Sequence, residues 1–472
     1  MTIKGLHKYK KKSWKKSLFQ QLVCPPGGTA VVDAFCWLHD CGCYLGRLLY
    51  QSPAEGRARV TQSFLELVEI VRSSGGRHKW VCHLVFDGAP SPAKANEDAL
   101  RQNRRKESLD KALALERAHK GTSKVARSFY NAWWRPSYEL VHHICVELTN
   151  RCIPFTVAPH EADGQVSYLC NKGAPGTTIA ITKDSDLAVT SPLVFFWDKQ
   201  YDNEKRLGGG LLCNRREMLS KMDGKQTMVG FSDRQFLLVC VLCGCDYVSK
   251  EDHATQLGFQ RAVGLVREQQ SLEPIIQYVM SCGKYKVTPN TPQATRAAVY
   301  QFDHAVVFDR ATGSHVNRTP IPPEERDKIK AALGGNMRLL GDVWPSRVAI
   351  DMANSVVHPL TRLPFAVPPT NDATVPRGGQ RSRRTVLIGG RIEDSLRIIP
   401  APAPLPPGPE YNAALHACGV TEQISPNVEI PESILVKVLQ LREQDVPSEC
   451  ARYQRVVCVY TLTLFKRRWY SV

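Results

Sequence analysis

The chain has 472 residues, of which 43 % are hydrophobic and 23 % charged, proportions that exclude a fibrous repeat or a wholly disordered polypeptide and allow a sizeable buried core. Its 62 Lys and Arg against 45 Asp and Glu leave a net charge of +17, an excess that favours a polyanionic partner, nucleic acid ahead of an acidic membrane surface. The apolar run at 456–465 is too short to span a bilayer and the lysine-rich first 16 residues lead into no apolar signal core, so the expectation is a soluble intracellular protein with no membrane partner.

The first 32 residues hold seven lysines and no acid, and the run at 10–16 reads equally as a nucleic-acid contact, an import signal or a soluble loop. Short runs rich in β-branched residues follow at 29–33, 80–87, 153–157 and 177–182. Between them 59–73, 138–151 and 163–171 carry helical spacing, and this alternation predicts a parallel sheet covered on both faces. The stretch 94–127 is charged, helical and without a continuous apolar face, which predicts a helical insertion projecting from the sheet. Gly208, Gly209 and Gly210 read as a flexible turn. An apolar helix is expected at 236–245, a mainly helical region to about 360, a proline-rich linker around 364–409 and a last helix at 432–442. The sixteen cysteines are scattered through apolar segments as reduced core thiols would be; Cys240, Cys243 and Cys245 have Cys-x-x-Cys spacing, but only Cys41 and Cys43 are conceivable zinc partners, so buried thiols are the stronger reading.

The acids carry the chemistry. Asp33 closes the first strand, Asp87 the second, Glu161 and Asp163 follow the third, and Asp184 and Asp186 follow the fourth. In an open parallel sheet these ends share one edge, where ligands bind. Asp246, after the apolar helix, is a seventh member. Singly, each acid reads as a helix cap or a turn residue. Together, seven crowded carboxylates would repel unless cations held them, and hard oxygen donors suit two Mg²⁺ ions, or Mn²⁺ in their place, that hold the attacking and leaving oxygens of a phosphodiester. Lys94, Arg101 and Arg105, spaced by seven and four, lie on one helical face that either meets a phosphate or is solvated.

These residues, in this order, resemble the XPG and flap-endonuclease superfamily, and more closely its exonuclease-one branch. The matching pieces are Ile3-Lys4-Gly5-Leu6, the segment from Val32 through Asp33 to His39, Val85-Phe86-Asp87-Gly88, the segment from Ala158 to Asp163, the segment from Thr182 to Leu187, and Gly244-Cys245-Asp246-Tyr247; Val306-Val307-Phe308-Asp309 and the segment from Ala349 to Ala353 resemble the end of the family's catalytic core. The resemblance implies a PIN-like α/β 5′-nuclease with nuclease regions at 1–93 and 128–231, an arch at 94–127, a helix–two-turn–helix region at 232–360 and a tail at 361–472. It implies 5′-to-3′ hydrolysis of nicked, gapped, recessed or flapped DNA duplex by a nuclear, monomeric repair enzyme, with mismatch-repair proteins as partners. The alternatives are a flap-specific endonuclease of the same superfamily and a catalytically weak nucleic-acid-binding scaffold. By the same resemblance the seven acids bind metal and Lys94 and Arg101 steer the phosphate. His39, where flap endonucleases carry tyrosine, lies against the end base, and Arg105, Gly258 and Arg261 contact DNA. Three departures stand out: Thr2 replaces the family's second-position glycine, Cys243 and Lys250 stand where serines are usual, and Gln256-Leu257-Gly258 replaces the glycine-flanked turn that holds K⁺. The last predicts that K⁺ acts here only as screening salt.

Overall fold

The computed structural model describes residues 3, 6, 14–198, 208–220 and 228–365. The chain divides into two units, Met1–Val367 and Pro368–Val472, and every described residue lies in the first. The expected linker beyond 365, the helix at 432–442, Thr2 and residues 10–13 of the lysine run lie outside the described residues.

A seven-stranded sheet organises the first unit. In chain order its strands are β1 (Lys15–Leu18), β2 (Thr29–Asp33), β3 (Val81–Phe86), β4 (Phe155–Val157), β5 (Thr178–Thr182), β6 (Leu193–Trp197) and β7 (Gly209–Asn214). They lie in the order β1-β7-β6-β5-β2-β3-β4. The five from β6 to β4 are parallel, and β7 and β1 add an antiparallel edge. The expected α/β class with a mostly parallel sheet is therefore present. Side-chain alternation assigns the two faces: Val31, Val85, Ala180 and Phe196 point into one core layer, while Val32, Leu84, Phe86, Ile181 and Trp197 point into the other. Near-continuous β-branched and aromatic runs tolerate this double burial, which is why they read as strands.

Helices α1 (Ala34–Gly42), α2 (Gly46–Gln51) and α3 (Pro53–Ser73) connect β2 to β3. The third begins six residues before the expected 59, because Pro53 starts it with the preset φ that a first helical position accepts. The charged insertion is two helices, α4 (Ala95–Arg117) and α5 (Lys124–Trp133), so it extends beyond 127. The expected lack of an apolar face holds for α4, where Ala112 is the buried hydrophobic residue; α5 buries Ala126 and Tyr130. Next come α6 (Tyr138–Asn150), α7 (Ala162–Lys172), α8 (Leu187–Thr190), α9 (Arg215–Ser220) and α10 (Asp233–Cys243), the last opened by a capping box between Ser232 and Gln235.

The region after Asp246 contains α11 (Phe259–Gln269), α12 (Leu272–Ser281), α13 (Thr291–His304), α14 (Arg326–Ala332) and α15 (Ser346–Ala353). It also contains a hairpin of β8 (Val306–Asp309) and β9 (Ser314–Asn317), which the mainly helical expectation missed. Gln165 pins the hairpin to α7 by accepting from Phe308 N at 2.7 Å and donating to Phe308 O at 2.9 Å. The chain packs onto α6 as far as Phe365, whose ring stacks on His142 at 4.1 Å.

The expected glycine turn holds at Gly208, whose φ is +67°, but Gly209 and Gly210 open β7; a Cβ on Gly210 would strike the Phe196 carbonyl and the Phe195 ring. Cys240 and Cys243 are buried in the apolar layer with free thiols.

Candidate active site

The strand order reverses direction between β2 and β5, and the acids gather where the carboxyl ends of those strands leave a crevice. Asp33 ends β2 and caps α1: its Oδ1 accepts from Phe35 N at 3.2 Å, and its Oδ2 accepts from Thr182 Oγ1, at the end of β5, at 2.9 Å. Thr182 Oγ1 in turn accepts from Asp184 N at 3.0 Å, and Asp184 Oδ1 accepts from Asp186 N at 3.2 Å. One threonine hydroxyl thus ties the β2 acid to the β5 loop. Asp87 follows β3 directly and accepts from Ala162 N, the first residue of α7, at 2.7 Å. Glu161 stands at the N-cap of α7 and Asp163 in its first turn, where the helix dipole favours negative charge. Asp246 arrives from α10 through Gly244, whose φ of +99° ends the helix in a conformation open to glycine.

Two cations face these acids. Lys94, buried at the end of a 3-10 turn before α4, places Nζ 2.7 Å from Glu161 Oε2, 3.9 Å from Asp246 Oδ2 and 4.7 Å above the Tyr247 ring. Tyr247 donates its hydroxyl to the same Glu161 oxygen at 3.1 Å. Arg101, on α4, donates to Asp246 Oδ2 at 3.2 Å and to Glu97 Oε1 at 3.2 Å.

Charge is therefore unbalanced. Burial raises Asp33 to about 6, against the hydrogen bond from Thr182 and helped by Asp184. Burial likewise raises Asp87 to about 7, with Asp33 and Glu161 adding to it and the Ala162 amide and Lys94 opposing. Asp163 and Asp186 are pushed well above the usual carboxylate range by burial and then by Asp184. Burial works against the Lys94 charge, but Glu161, Tyr247, Asp163 and Asp186 outweigh it and hold its ammonium protonated.

The donor chemistry fits a hard divalent cation, because every member is a carboxylate and the surplus of buried negative charge is what a cation relieves. In the positions found, no three of these groups stand close enough together to hold an ion among the described residues, and the Lys94 ammonium lies on Glu161. Thr182 and Tyr247 were not among the expected site residues. Their signals were a threonine two residues before an Asp-x-Asp pair and a tyrosine directly after the last acid.

The expected DNA contacts lie apart from this cluster. His39 is exposed on α1, edge-on to Trp134 at 5.8 Å. Arg105 is half-buried on α4, below Arg101 on the same helix. Gly258 caps α11, and Arg261 in its first turn donates to Gln256 O at 3.0 Å. Neither touches the acids through a hydrogen bond or ion pair among the described residues. Gln256 has φ of +71°, the left-handed conformation that glycine favours, so the turn keeps a glycine-like backbone despite its side chain.

Comparison with known proteins bears on this geometry. The XPG I-region family model matches residues 152–246, a span that contains Glu161, Asp163, Asp184, Asp186 and Asp246. The chain is 27 % identical to exonuclease 1 of Arabidopsis thaliana over 342 residues, 72 % of this chain and 42 % of that protein. It is 25 % identical to exodeoxyribonuclease 1 of Saccharomyces cerevisiae over 315 residues, 65 % of this chain and 42 % of that protein. The resemblance to the XPG and flap-endonuclease superfamily, on its exonuclease-one side, is borne out. The chain spans about two fifths of the length of these two relatives. Among solved structures, the catalytic core of Rad2 in complex with DNA substrate is similar with a TM-score of 0.42 and 14 % identity, covering 74 % of this chain and 98 % of that one.

Proposed function

We propose that this chain is a metal-dependent phosphodiesterase that degrades DNA 5′ to 3′ from nicks, gaps and recessed ends and also cuts 5′ flaps, acting as a nuclear monomer in repair and recombination. The observation that carries the reading is the meeting of Asp33, Asp87, Glu161, Asp163, Asp184, Asp186 and Asp246 with Lys94 and Arg101 at one sheet edge of a strongly basic chain. Asp33, Asp87, Glu161 and Asp163 would hold one Mg²⁺, and Asp184, Asp186 and Asp246 would complete a second, with Mn²⁺ able to substitute. What the bound ions supply is a water of lowered pKa and charge neutralisation at the leaving 3′ oxygen.

The protein's own groups do the positioning. Thr182 fixes the Asp33 carboxylate relative to the Asp184 loop, and the Ala162 amide fixes that of Asp87. Lys94 and Arg101, which the acids keep charged and oriented, neutralise a phosphate presented at the edge. His39 meets the end base, and Arg105, Gly258 and Arg261 contact the backbone. Mismatch-repair proteins are partners by resemblance alone.

Nicked duplexes labelled at the 5′ or the 3′ end, incubated with Mg²⁺ and with chelator, test the reading. Mononucleotides released only with Mg²⁺ are expected; flaps released intact, with no mononucleotides, point instead to a flap-specific endonuclease. Asp184→Ala is expected to lower turnover by at least about 100-fold, as loss of a transition-state interaction does. Wild-type turnover in that variant would remove the metal assignment.

A further inference from the structure

Behind the acids, on the side away from the sheet edge, lie two polar side chains that the proposed chemistry does not use. Gln301, on α13, is 5 % exposed, and its Oε1 is buried with no hydrogen-bond partner among the described residues. Arg318, just after β9, donates from Nη1 to Ser167 Oγ at 2.9 Å and from Nη2 to Phe302 O, and lies 3.8 Å from Asp303; its Nε is likewise buried and without a partner. The two residues share the wall of a hollow of about 10 Å³ whose other walls include Asp163, Asp186 and Tyr247. Gln301 also borders a second hollow of about 20 Å³, with Glu161, Tyr247 and His160. On its other side Arg318 lines an outer cleft of about 700 Å³, so its side chain stands between that cleft and the acids.

An orphaned acceptor and an orphaned donor on one small polar hollow are complementary to a water molecule. The hollow has the room one water requires, and it offers more than the two polar partners such a water needs. We infer that Gln301 and Arg318 are positioning residues of the acid cluster, which hold an internal water between themselves and the Asp163 and Asp186 carboxylates. The water accepts from Arg318 Nε, donates one proton to Gln301 Oε1 and the other to a carboxylate oxygen. That bond fixes the rotamer of an acid on which its neighbours Asp184 and Lys94 act through charge. Outer groups of this kind orient ligating carboxylates and tune the affinity for the ion they bind. The inference rests on the metal reading proposed above and deepens it, because it adds α13 and the segment after β9 to a site whose other members come from the sheet and α10.

The test is Gln301→Leu in the full chain, with Gln301→Met as an unbranched second variant. Mn²⁺ uptake without DNA is followed by electron paramagnetic resonance, alongside the melting temperature of the metal-free protein and KM and kcat on nicked duplex. The dissociation constant for Mn²⁺ is expected to rise about tenfold. The melting temperature should fall little, since one hydrogen bond of an internal water is lost, and KM for duplex should not change. Wild-type Mn²⁺ affinity in both variants overturns the inference and leaves the metal reading standing. Loss of affinity together with loss of helical circular dichroism in both variants also overturns it, because the role is then structural. If the wild-type chain takes up no Mn²⁺, the metal reading itself falls, and the inference with it.

Discussion

Asp33 and Asp87 show what one buried residue contributes to the whole. Each is held above the ordinary carboxylate range, Asp33 to about 6 and Asp87 to about 7, chiefly by burial. An acid whose pKa is raised by folding binds more protons folded than unfolded, so between about pH 4 and 7 each step up in pH favours the unfolded chain. The penalty is roughly 1.4 kcal/mol for each unit by which a pKa is displaced. The half-buried His83 and the buried His315, lowered to about 4 chiefly by burial, act in the opposite direction over the same range, so the two acids are read by difference. A double variant, Asp33→Asn with Asp87→Asn, should gain melting temperature over the metal-free wild type at pH 7.5 by more than at pH 4.5, and Mg²⁺ should narrow that gap at the higher pH. Scanning calorimetry of both proteins checks this; parallel profiles would show that these two acids do not titrate with folding.

At the scale of elements, one residue joins both helices of the insertion to α2. Glu116, at the end of α4, accepts from Arg47 Nε at 2.9 Å and Gln51 Nε2 at 3.2 Å on α2, and from Tyr130 on α5 at 3.3 Å. A Cβ on Gly121 would strike the same carboxylate, which explains the glycine in the turn between the two helices. The arch carries Arg101 and Arg105, so its attachment affects how those cations meet a phosphate. Glu116→Gln removes the charge that draws Arg47 and is expected to speed amide hydrogen exchange across residues 95–133 several-fold while leaving the sheet protected, since local opening is governed by local contacts. Uniform protection in the variant would show that apolar packing of α5 alone holds the arch. Sequence periodicity exposed the weak apolar face of α4 but not this junction, because Arg47 and Glu116 are brought together only by the docking of α2 against α5.

The whole molecule carries a charge of +17, against which the candidate site sets a local group of seven acids. Duplex held by side-chain charge such as that of the exposed Arg261 and the half-buried Arg105 is expected to lose affinity steeply with salt, with a logarithmic slope of about −0.9 per phosphate neutralised. Affinity at equal ionic strength should be the same in K⁺ and Na⁺, because Gln256 puts a side chain where the family's turn has glycine. Fluorescence anisotropy of a labelled nicked duplex in the two salts measures it. A clear gain in K⁺ would mean that the left-handed backbone at Gln256 is enough to build an ion site, whatever side chain it carries.

The sequence by itself determined which elements deliver the seven acids to one sheet edge. Strand-terminal acids are legible because a buried parallel strand must be apolar to its end, so the first charge after it marks the sheet edge. Three things belonged to the tertiary structure. The order of the strands, with β2 beside β5, decided that Thr182 bridges Asp33 and Asp184. Close packing of Phe195 and Phe196 decided the use of Gly210, while Gly208 combines a left-handed φ of +67° with the cover of the Trp197 ring. The docking of α13 and the segment after β9 behind α7 decided that Gln301 and Arg318 line a hollow with Asp163 and Asp186, more than a hundred residues away in the chain. Local patterns report what a residue's own element requires, whereas a partner brought from a distant segment leaves no periodic mark, because only packing specifies the pair.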